Sequence, residues 1–196
     1  MSVKTLVLAL VVLAVAAPAV AFAEEAKGAT AEAKKLIVDI ETSKGTITVE
    51  LWPDKAPNTV KNFVGYVLGG HYDGTVFHRV IKGFMIQGGG FAEDLQEKPT
   101  GPPIKLEAKE SNRKYTIAMA RTPDPNSATS QFYINVADNL GLDPNVQPPG
   151  YTVFGKVTKG TSVVDQIANL PKTSKGREFP DLTIPVVVIK SAKLVD

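Results

Sequence analysis

Short alternating segments separated by turn residues dominate the chain from residue 36 onward. Alternation of apolar and polar residues with a period of two is the pattern of a strand that buries one face. The 196 residues include 16 Gly and 14 Pro, which favours many turns over long helices. Together these features predict a mainly β protein built from many short strands.

The strand patterns start with a hairpin, because residues 37–51 alternate on both sides of the turn Lys44-Gly45. Residues 182–195 are rich in β-branched side chains and predict a strand that closes the domain. The other strand candidates lie between these two segments, at residues 75–81, 84–89, 114–120, 130–136 and 151–157.

Two segments have a helical period instead. The first begins at Asn58, which we predict as the N-cap, and ends at Gly69-Gly70. A second short helix is predicted at residues 161–169. Two helices among many short strands predict a closed antiparallel barrel with capped ends. The stripe of the first helix follows the spacing i, i+3, i+4, i+7 and consists of Val60, Phe63, Val64 and Val67.

The N-terminus has the pattern of a secretory signal peptide. Lys4 is followed by an uncharged apolar segment at residues 5–17, and Ala21-Phe22-Ala23 forms a cleavage motif. The alternative is a retained membrane anchor, because the apolar stretch is nearly long enough to span a bilayer. Pro18 and the small residues favour cleavage, so we predict a signal peptide at residues 1–23 and an exported, periplasmic protein.

The polar, Ala-rich segment at residues 24–35 is predicted to be a flexible linker, and residues 36–196 form the domain. Loss of Lys4 with the signal peptide leaves 21 basic and 20 acidic residues, a net charge of +1. This balance gives no electrostatic case for nucleic-acid binding. No stable membrane association is expected after cleavage, and nothing in the sequence demands more than a monomer.

The sequence lacks the residues that several classes of chemistry require. The chain has no cysteine, which excludes disulfides, cysteine nucleophiles and thiolate metal sites. His71 and His78 are the only histidines, and neither a zinc-protease motif nor a G-x-S-x-G motif occurs. We therefore expect no metal and no cofactor.

Two segments concentrate residues suited to recognition. In residues 77–91, Arg79 and Gln87 are strong hydrogen-bonding groups that a strand-turn-strand arrangement could bring side by side. The large apolar residues Phe84 and Met85 lie between them. The second segment, residues 119–134, mixes amide, hydroxyl and aromatic side chains along a predicted strand.

The motifs FHRVIKGFMIQGG, MARTPDPNSATSQFYINV, LD and VFGKV occur in this order and resemble the cyclophilin family. The resemblance covers residues 36–195, and the second motif is most similar to bacterial exported members. It implies an eight-stranded antiparallel barrel capped by two helices, with a binding groove on the outer wall. It also implies a peptidyl-prolyl cis/trans isomerase.

Matching the motifs residue by residue assigns roles within this groove. The resemblance implies the catalytic residues Arg79, Gln87 and His78. Arg79 is the catalytic arginine, His78 is the histidine before it, and Gln87 orients the arginine and binds substrate backbone. The residues implied in substrate binding are Phe84, Met85, Tyr133 and Leu142 at the proline pocket and Ala120, Arg121, Gln131 and Tyr151 along the groove.

Three positions depart from the family pattern. Tyr133 stands where many members have Phe, Gly141 where members often have Trp or Phe, and Tyr151 where many have His. Gly141 and Tyr151 argue against high affinity for cyclosporin. Isomerase activity is still expected, because Arg79 and the pocket residues are intact.

The expected partners are proline-containing polypeptides that are unfolded or partly folded. The alternative function is a peptide-binding module that keeps the fold without catalysis. Such a binder should have lost residues such as Arg79 or Gln87, which this chain retains.

Overall fold

The structure is a computed structural model that describes residues 35–195. The predicted signal peptide, and the predicted linker apart from Lys35, lie outside these residues. Within residues 35–195, no helix is both long and apolar enough to cross a membrane.

The described residues form short strands and two α-helices, as the sequence pattern predicts. The helices are α1 (Pro57–Leu68) and α2 (Thr161–Ala168), and a 3-10 turn spans Leu140–Leu142. The strands are β1 (Leu36–Thr42), β2 (Gly45–Leu51), β3 (Thr75–Val76), β4 (Arg79–Ile81), β5 (Met85–Gly88), β6 (Thr116–Met119), β7 (Phe132–Asn135), β8 (Val153–Lys159), β9 (Lys172–Lys175), β10 (Phe179–Thr183) and β11 (Val188–Val195).

Nine of these strands form one antiparallel sheet that curls into a barrel. The strand order is β3-β11-β1-β2-β8-β6-β7-β5-β4. The two end strands, β3 and β4, are separated in the chain only by Phe77 and His78, so the backbone itself joins the ends of the sheet. The amide of Phe77 donates to the carbonyl of Val187 at 3.0 Å. With residues 75–81 counted as one bent strand, the barrel has eight strands, and the predicted fold class is confirmed.

The two faces of the barrel wall bury different clusters, because successive side chains of a strand point to opposite faces. Ile117 and Met119 of β6 join the main core, together with the buried residues of α1 and α2. Ala118, between them, joins a smaller cluster on the other face. All four residues of β6 and all four of β7 are buried, so both faces of this part of the wall are covered.

Three details differ from the sequence-based expectations. The candidate strand at 75–81 is split into β3 and β4. The candidate at 182–195 is also split, because Pro185 lacks an amide donor and lies between β10 and β11. Lys172–Arg177, a polar and basic segment without the alternation that would predict a strand, includes β9, which pairs with β10.

Helix α1 buries Val60, Phe63 and Val67 of the predicted stripe and partly buries Val64, but it begins earlier than predicted. Pro57 occupies the first turn, where its missing amide hydrogen is not needed, and the N-cap is Ala56. Asn58 is therefore not the N-cap. Because Ala56 has no capping side chain, the carboxylate of Glu107 takes over this role and accepts from the Asn58 amide at 3.2 Å and the Thr59 amide at 2.9 Å.

Replacement of Glu107 by alanine is expected to lower the free energy of unfolding by about 0.5–2 kcal/mol, the usual contribution of a helix cap. Burial alone would raise the pKa of Glu107, but the hydrogen bonds from Thr59 and Asn58 outweigh it and hold this pKa below its usual value. The contribution is thus present at neutral pH and is lost as the pH falls through the range of the carboxyl group.

Denaturant unfolding at pH 7 and at pH 3 measures this effect. The matched control is Glu93→Ala, since Glu93 is exposed and its carboxylate has no partner among residues 35–195. Equal stability of the Glu107 and Glu93 variants at pH 7 would contradict the capping role.

Candidate active site

A row of side chains crosses five neighbouring strands on the outer face of the barrel. Arg79 of β4 pairs with Gln87 of β5, and Gln87 pairs with Tyr133 of β7. The row continues through Ala118 of β6 to Val153 of β8. Arg79 and Gln87 therefore lie side by side, as the strand-turn-strand pattern predicts, with apolar residues next to them.

An open cavity of about 110 Å³ lies over this row. A cavity of about 150 Å³ can hold benzene, so this volume suits a five-membered ring. Its apolar wall includes Met85 and Tyr133, both almost fully buried. The cavity is lined by Arg79, Phe84, Met85, Gln87, Ala120, Arg121, Tyr133, Leu142 and Tyr151. The structure thus brings together nine of the eleven residues that the sequence singles out.

Gln131 lies beside this cavity. Its side-chain oxygen accepts from the Gln87 amide group at 2.9 Å. It lines an adjoining cavity of about 330 Å³, which shares Gln87, Ala120 and Arg121 with the first. The Gln87–Gln131 pair therefore stands at the junction of the two cavities.

The two arginines of the cavity are in different situations. Within residues 35–195, the half-buried Arg79 guanidinium has no hydrogen-bond or ion-pair partner. Arg121 donates from Nε and Nη2 to the Gly150 carbonyl at 3.0 and 2.8 Å, and its guanidinium lies 4.3 Å from the centre of the Tyr151 ring. Arg121 thus holds one wall in place, whereas no group of the described residues occupies the donors of Arg79, which can therefore bind a ligand.

His78 does not join the cavity, although it precedes Arg79. Its side chain is 4% exposed and packs edge-on against Phe91 and Phe179. Burial, with a smaller effect of the Arg79 charge, lowers the pKa of His78 to about 4. The imidazole is therefore neutral at pH 7, and it packs against the Phe91 and Phe179 rings instead of lining the cavity.

Gly141 lies at the exposed rim near Leu142. A β-carbon built at Gly141 meets no atom within 4 Å, so the missing side chain leaves this rim open. The predicted departure from the family pattern thus coincides with an unfilled edge of the site.

Pattern reasoning missed the polar residues behind the cavity. The Tyr133 hydroxyl donates to Oδ1 of Asn112 at 2.7 Å, and the Asn112 amide donates to Asp143 at 2.7 Å. Asn112 is fully buried, although it belongs to a long loop. The one signal in the sequence is that loops of this length in a compact domain are often functional.

Comparisons with known proteins agree with this geometry. Residues 37–192 match the family described as cyclophilin type peptidyl-prolyl cis-trans isomerase. Peptidyl-prolyl cis-trans isomerase cyp18 of Streptomyces antibioticus is 53% identical over 163 residues, which cover 81% of this chain and 98% of that protein. Peptidyl-prolyl cis-trans isomerase B of Escherichia coli is 46% identical over 160 residues, covering 79% of this chain and 97% of that protein.

Solved structures agree as well. A cyclophilin type isomerase of Cryptosporidium parvum superposes with a TM-score of 0.68 at 26% sequence identity, covering 83% of this chain and 98% of that one. The match of sequence and fold along nearly the whole described domain, with the intact cavity, shows that the chain belongs to the cyclophilin family of peptidyl-prolyl cis-trans isomerases.

Proposed function

We propose that this isomerase accelerates rotation about Xaa-Pro bonds in exported polypeptides and so assists their folding. The observation that carries the proposal is the Arg79 guanidinium, which has no partner among residues 35–195 and lies beside a cavity that suits a proline ring. In this proposal, residues 1–23 direct export to the periplasm and are removed, and residues 24–35 remain as the segment that precedes the domain.

The reaction requires a change of shape and no change of covalent bonds. Amide resonance sets a rotation barrier of about 18–20 kcal/mol. Uncatalysed exchange of an Xaa-Pro bond takes tens to hundreds of seconds. A catalyst must therefore bind the twisted bond more tightly than either planar isomer, and it needs neither a nucleophile nor a metal.

The apolar walls of the cavity hold the proline ring. Phe84, Met85 and Leu142 offer apolar contacts, and Tyr133 closes the wall. Burial of these surfaces favours a ring without polar groups. With the ring held still, rotation moves the acyl side of the bond instead.

Arg79 supplies the preference for the twisted bond. As the bond twists, the prolyl nitrogen loses its conjugation and becomes a hydrogen-bond acceptor. A guanidinium beside the ring can donate to this nitrogen only then, so the interaction stabilises the transition state more than the ground state. Gln87 lies directly across from Arg79 but makes no hydrogen bond to its guanidinium within residues 35–195. In this proposal Gln87 binds the substrate backbone and orients Arg79 once a substrate is bound.

Residues around the cavity hold the flanking peptide. The junction formed by Gln87 and Gln131 offers amide groups for backbone hydrogen bonds. Ala120 is small and leaves room for an extended chain next to Arg121. The expected substrates are proline-containing polypeptides that are unfolded or partly folded, since only these can extend along the groove.

Refolding of a denatured protein whose slow phase is limited by an Xaa-Pro bond tests this function. The isomerase, added at a concentration far below that of the refolding chain, should accelerate the slow phase. If only stoichiometric amounts alter refolding, or if they slow it, the protein acts as a peptide-binding module. Mass determination of the protein recovered from the periplasm tests export, with loss of residues 1–23 as the expected result.

A further inference from the structure

Four polar residues form a connected hydrogen-bond network behind the cavity. We call Asn112, Asn135, Asn139 and Asp143 the amide network. Asn112 and Asn135 are fully buried, and Asp143 is 6% exposed. A buried polar network is costly unless its groups are satisfied, and a satisfied one holds its neighbours in a single arrangement. Its connections to the cavity therefore indicate what it positions.

The first connection reaches Tyr133. The tyrosine hydroxyl donates to Oδ1 of Asn112 at 2.7 Å. Asn112 in turn donates to the Asp143 carboxylate from its backbone amide at 2.7 Å and from its side chain at 3.1 Å. The hydroxyl that distinguishes Tyr133 from phenylalanine thus forms its hydrogen bond behind the pocket and not inside it.

The second connection reaches Leu142. The Leu142 amide donates to the Asn139 carbonyl at 2.9 Å, which forms part of the 3-10 turn that presents this side chain to the cavity. The next residue is Asp143, whose carboxylate also accepts from Ser111. The turn is therefore fixed on both sides of Leu142.

The third connection reaches Phe84. The Asn139 side-chain amide donates to the Phe84 carbonyl at 2.7 Å and to the Asn135 side-chain oxygen at 2.6 Å. The backbone amide of Asn139 donates to the Asn112 carbonyl at 2.8 Å. One network therefore forms hydrogen bonds to three wall residues of the pocket, which come from three separate parts of the chain.

We infer that the amide network is a set of positioning residues that fixes Phe84, Tyr133 and Leu142 around the proline ring and so aligns the prolyl nitrogen with Arg79. The inference rests on the proposed function of the cavity. A displacement of about 1 Å in a reacting group can cost a large factor in rate, so a fixed pocket favours catalysis more than binding.

The protonation states suit this role. Burial raises the pKa of the Tyr133 hydroxyl, which keeps its proton and remains a donor. Burial alone would raise the pKa of Asp143, but the hydrogen bonds from Asn112 and Ser111 outweigh it and lower this pKa, so that the carboxylate remains an acceptor. The direction of each hydrogen bond is therefore the same across the neutral range.

Tyr133→Phe tests the inference, because it removes one hydroxyl and keeps the ring that contacts the substrate. The net free energy of a single hydrogen bond corresponds to about a 3–10-fold change in rate. We expect kcat for an Xaa-Pro peptide to fall by this factor with KM almost unchanged, the pattern of a lost transition-state alignment. Asn139→Ala should change kcat in the same direction.

Tyr115→Phe is the matched control. The Tyr115 hydroxyl donates to the Asp165 carboxylate at 2.7 Å, and Tyr115 does not line the cavity. Tyr115→Phe should lose about as much thermal stability as Tyr133→Phe and keep the wild-type kcat. The inference is overturned if Tyr133→Phe keeps the wild-type kcat, or if both tyrosine variants lose kcat equally.

A second readout does not depend on turnover. In the NMR spectrum of the full chain, Tyr133→Phe should broaden the methyl resonances of Leu142 and leave those of Val163 in α2 sharp. Unchanged Leu142 resonances would overturn the inference. Absence of turnover in the wild-type protein would instead refute the proposed function, and the Leu142 resonances would still decide the role of the network.

Discussion

Replacement of Arg79 by alanine is expected to lower kcat/KM for cis-to-trans isomerisation of an Xaa-Pro peptide by about 10²–10³-fold, the usual cost of removing one preorganised transition-state donor. The loss should appear in kcat, because the donor has its acceptor only in the twisted state. Stability should change little, since the guanidinium is half-buried and has no partner among residues 35–195. Steady-state kinetics with thermal unfolding of the same preparation measures both quantities.

Two further variants sharpen this result. Arg79→Lys keeps the positive charge but loses the planar fork of donors, so it is expected to be impaired as well. Arg177→Ala removes an exposed guanidinium from the turn between β9 and β10 and should keep full activity. Full activity in Arg79→Lys would show that charge alone suffices and would refute the role assigned to the guanidinium geometry.

Acidification from pH 6.5 to pH 4 is expected to remove about 3 kcal/mol of stability through His78 alone. Burial lowers the pKa of this group from 6.5 to about 4 in the folded protein, and one pKa unit corresponds to about 1.4 kcal/mol. Between pH 6.5 and pH 4 the unfolded chain binds the proton and the folded chain does not, so stability falls as the pH falls. Above about pH 8 both states are deprotonated, and the group contributes almost no pH dependence.

His78→Leu should remove this part of the acid dependence. Leucine suits the site, because Nδ1 of His78 is buried without a hydrogen-bond partner among the described residues. Urea unfolding at several pH values between 7 and 4.5 gives the two stability curves. His71→Gln is the comparison variant. Burial also lowers the pKa of His71, but this imidazole is only half-buried, so the variant should remove a smaller part of the acid dependence. Parallel curves for wild type and His78→Leu would contradict the prediction.

The sequence predicts most of the fold because its local signals agree with one another. The alternation in β1 and β2, the stripe of α1 and the turn glycines all favour one arrangement. Its errors occur where a distant residue decides the outcome. Asn58 has the sequence of an N-cap, yet Glu107 caps the helix from 48 residues away by contacting Thr59.

The site is predictable in part for the same reason. Arg79 and Gln87 are joined by a short turn, so strand geometry alone brings them together. Tyr133 and Leu142 reach the same cavity only through sheet order and loop packing, and the resemblance to a family was needed to identify them. Asn112 and Asn139 lie in long loops without periodicity, so no local signal indicated their contacts with the pocket.

The most direct test of the account is exchange NMR on an Xaa-Pro peptide with the wild-type protein at about one hundredth of the peptide concentration. The account predicts exchange between the cis and trans peptide resonances within a second, against tens to hundreds of seconds without protein, and shifts of the Met85 and Leu142 methyl resonances. Peptide binding at the same methyl groups without accelerated exchange would contradict it and would make this protein a peptide-binding member of its fold.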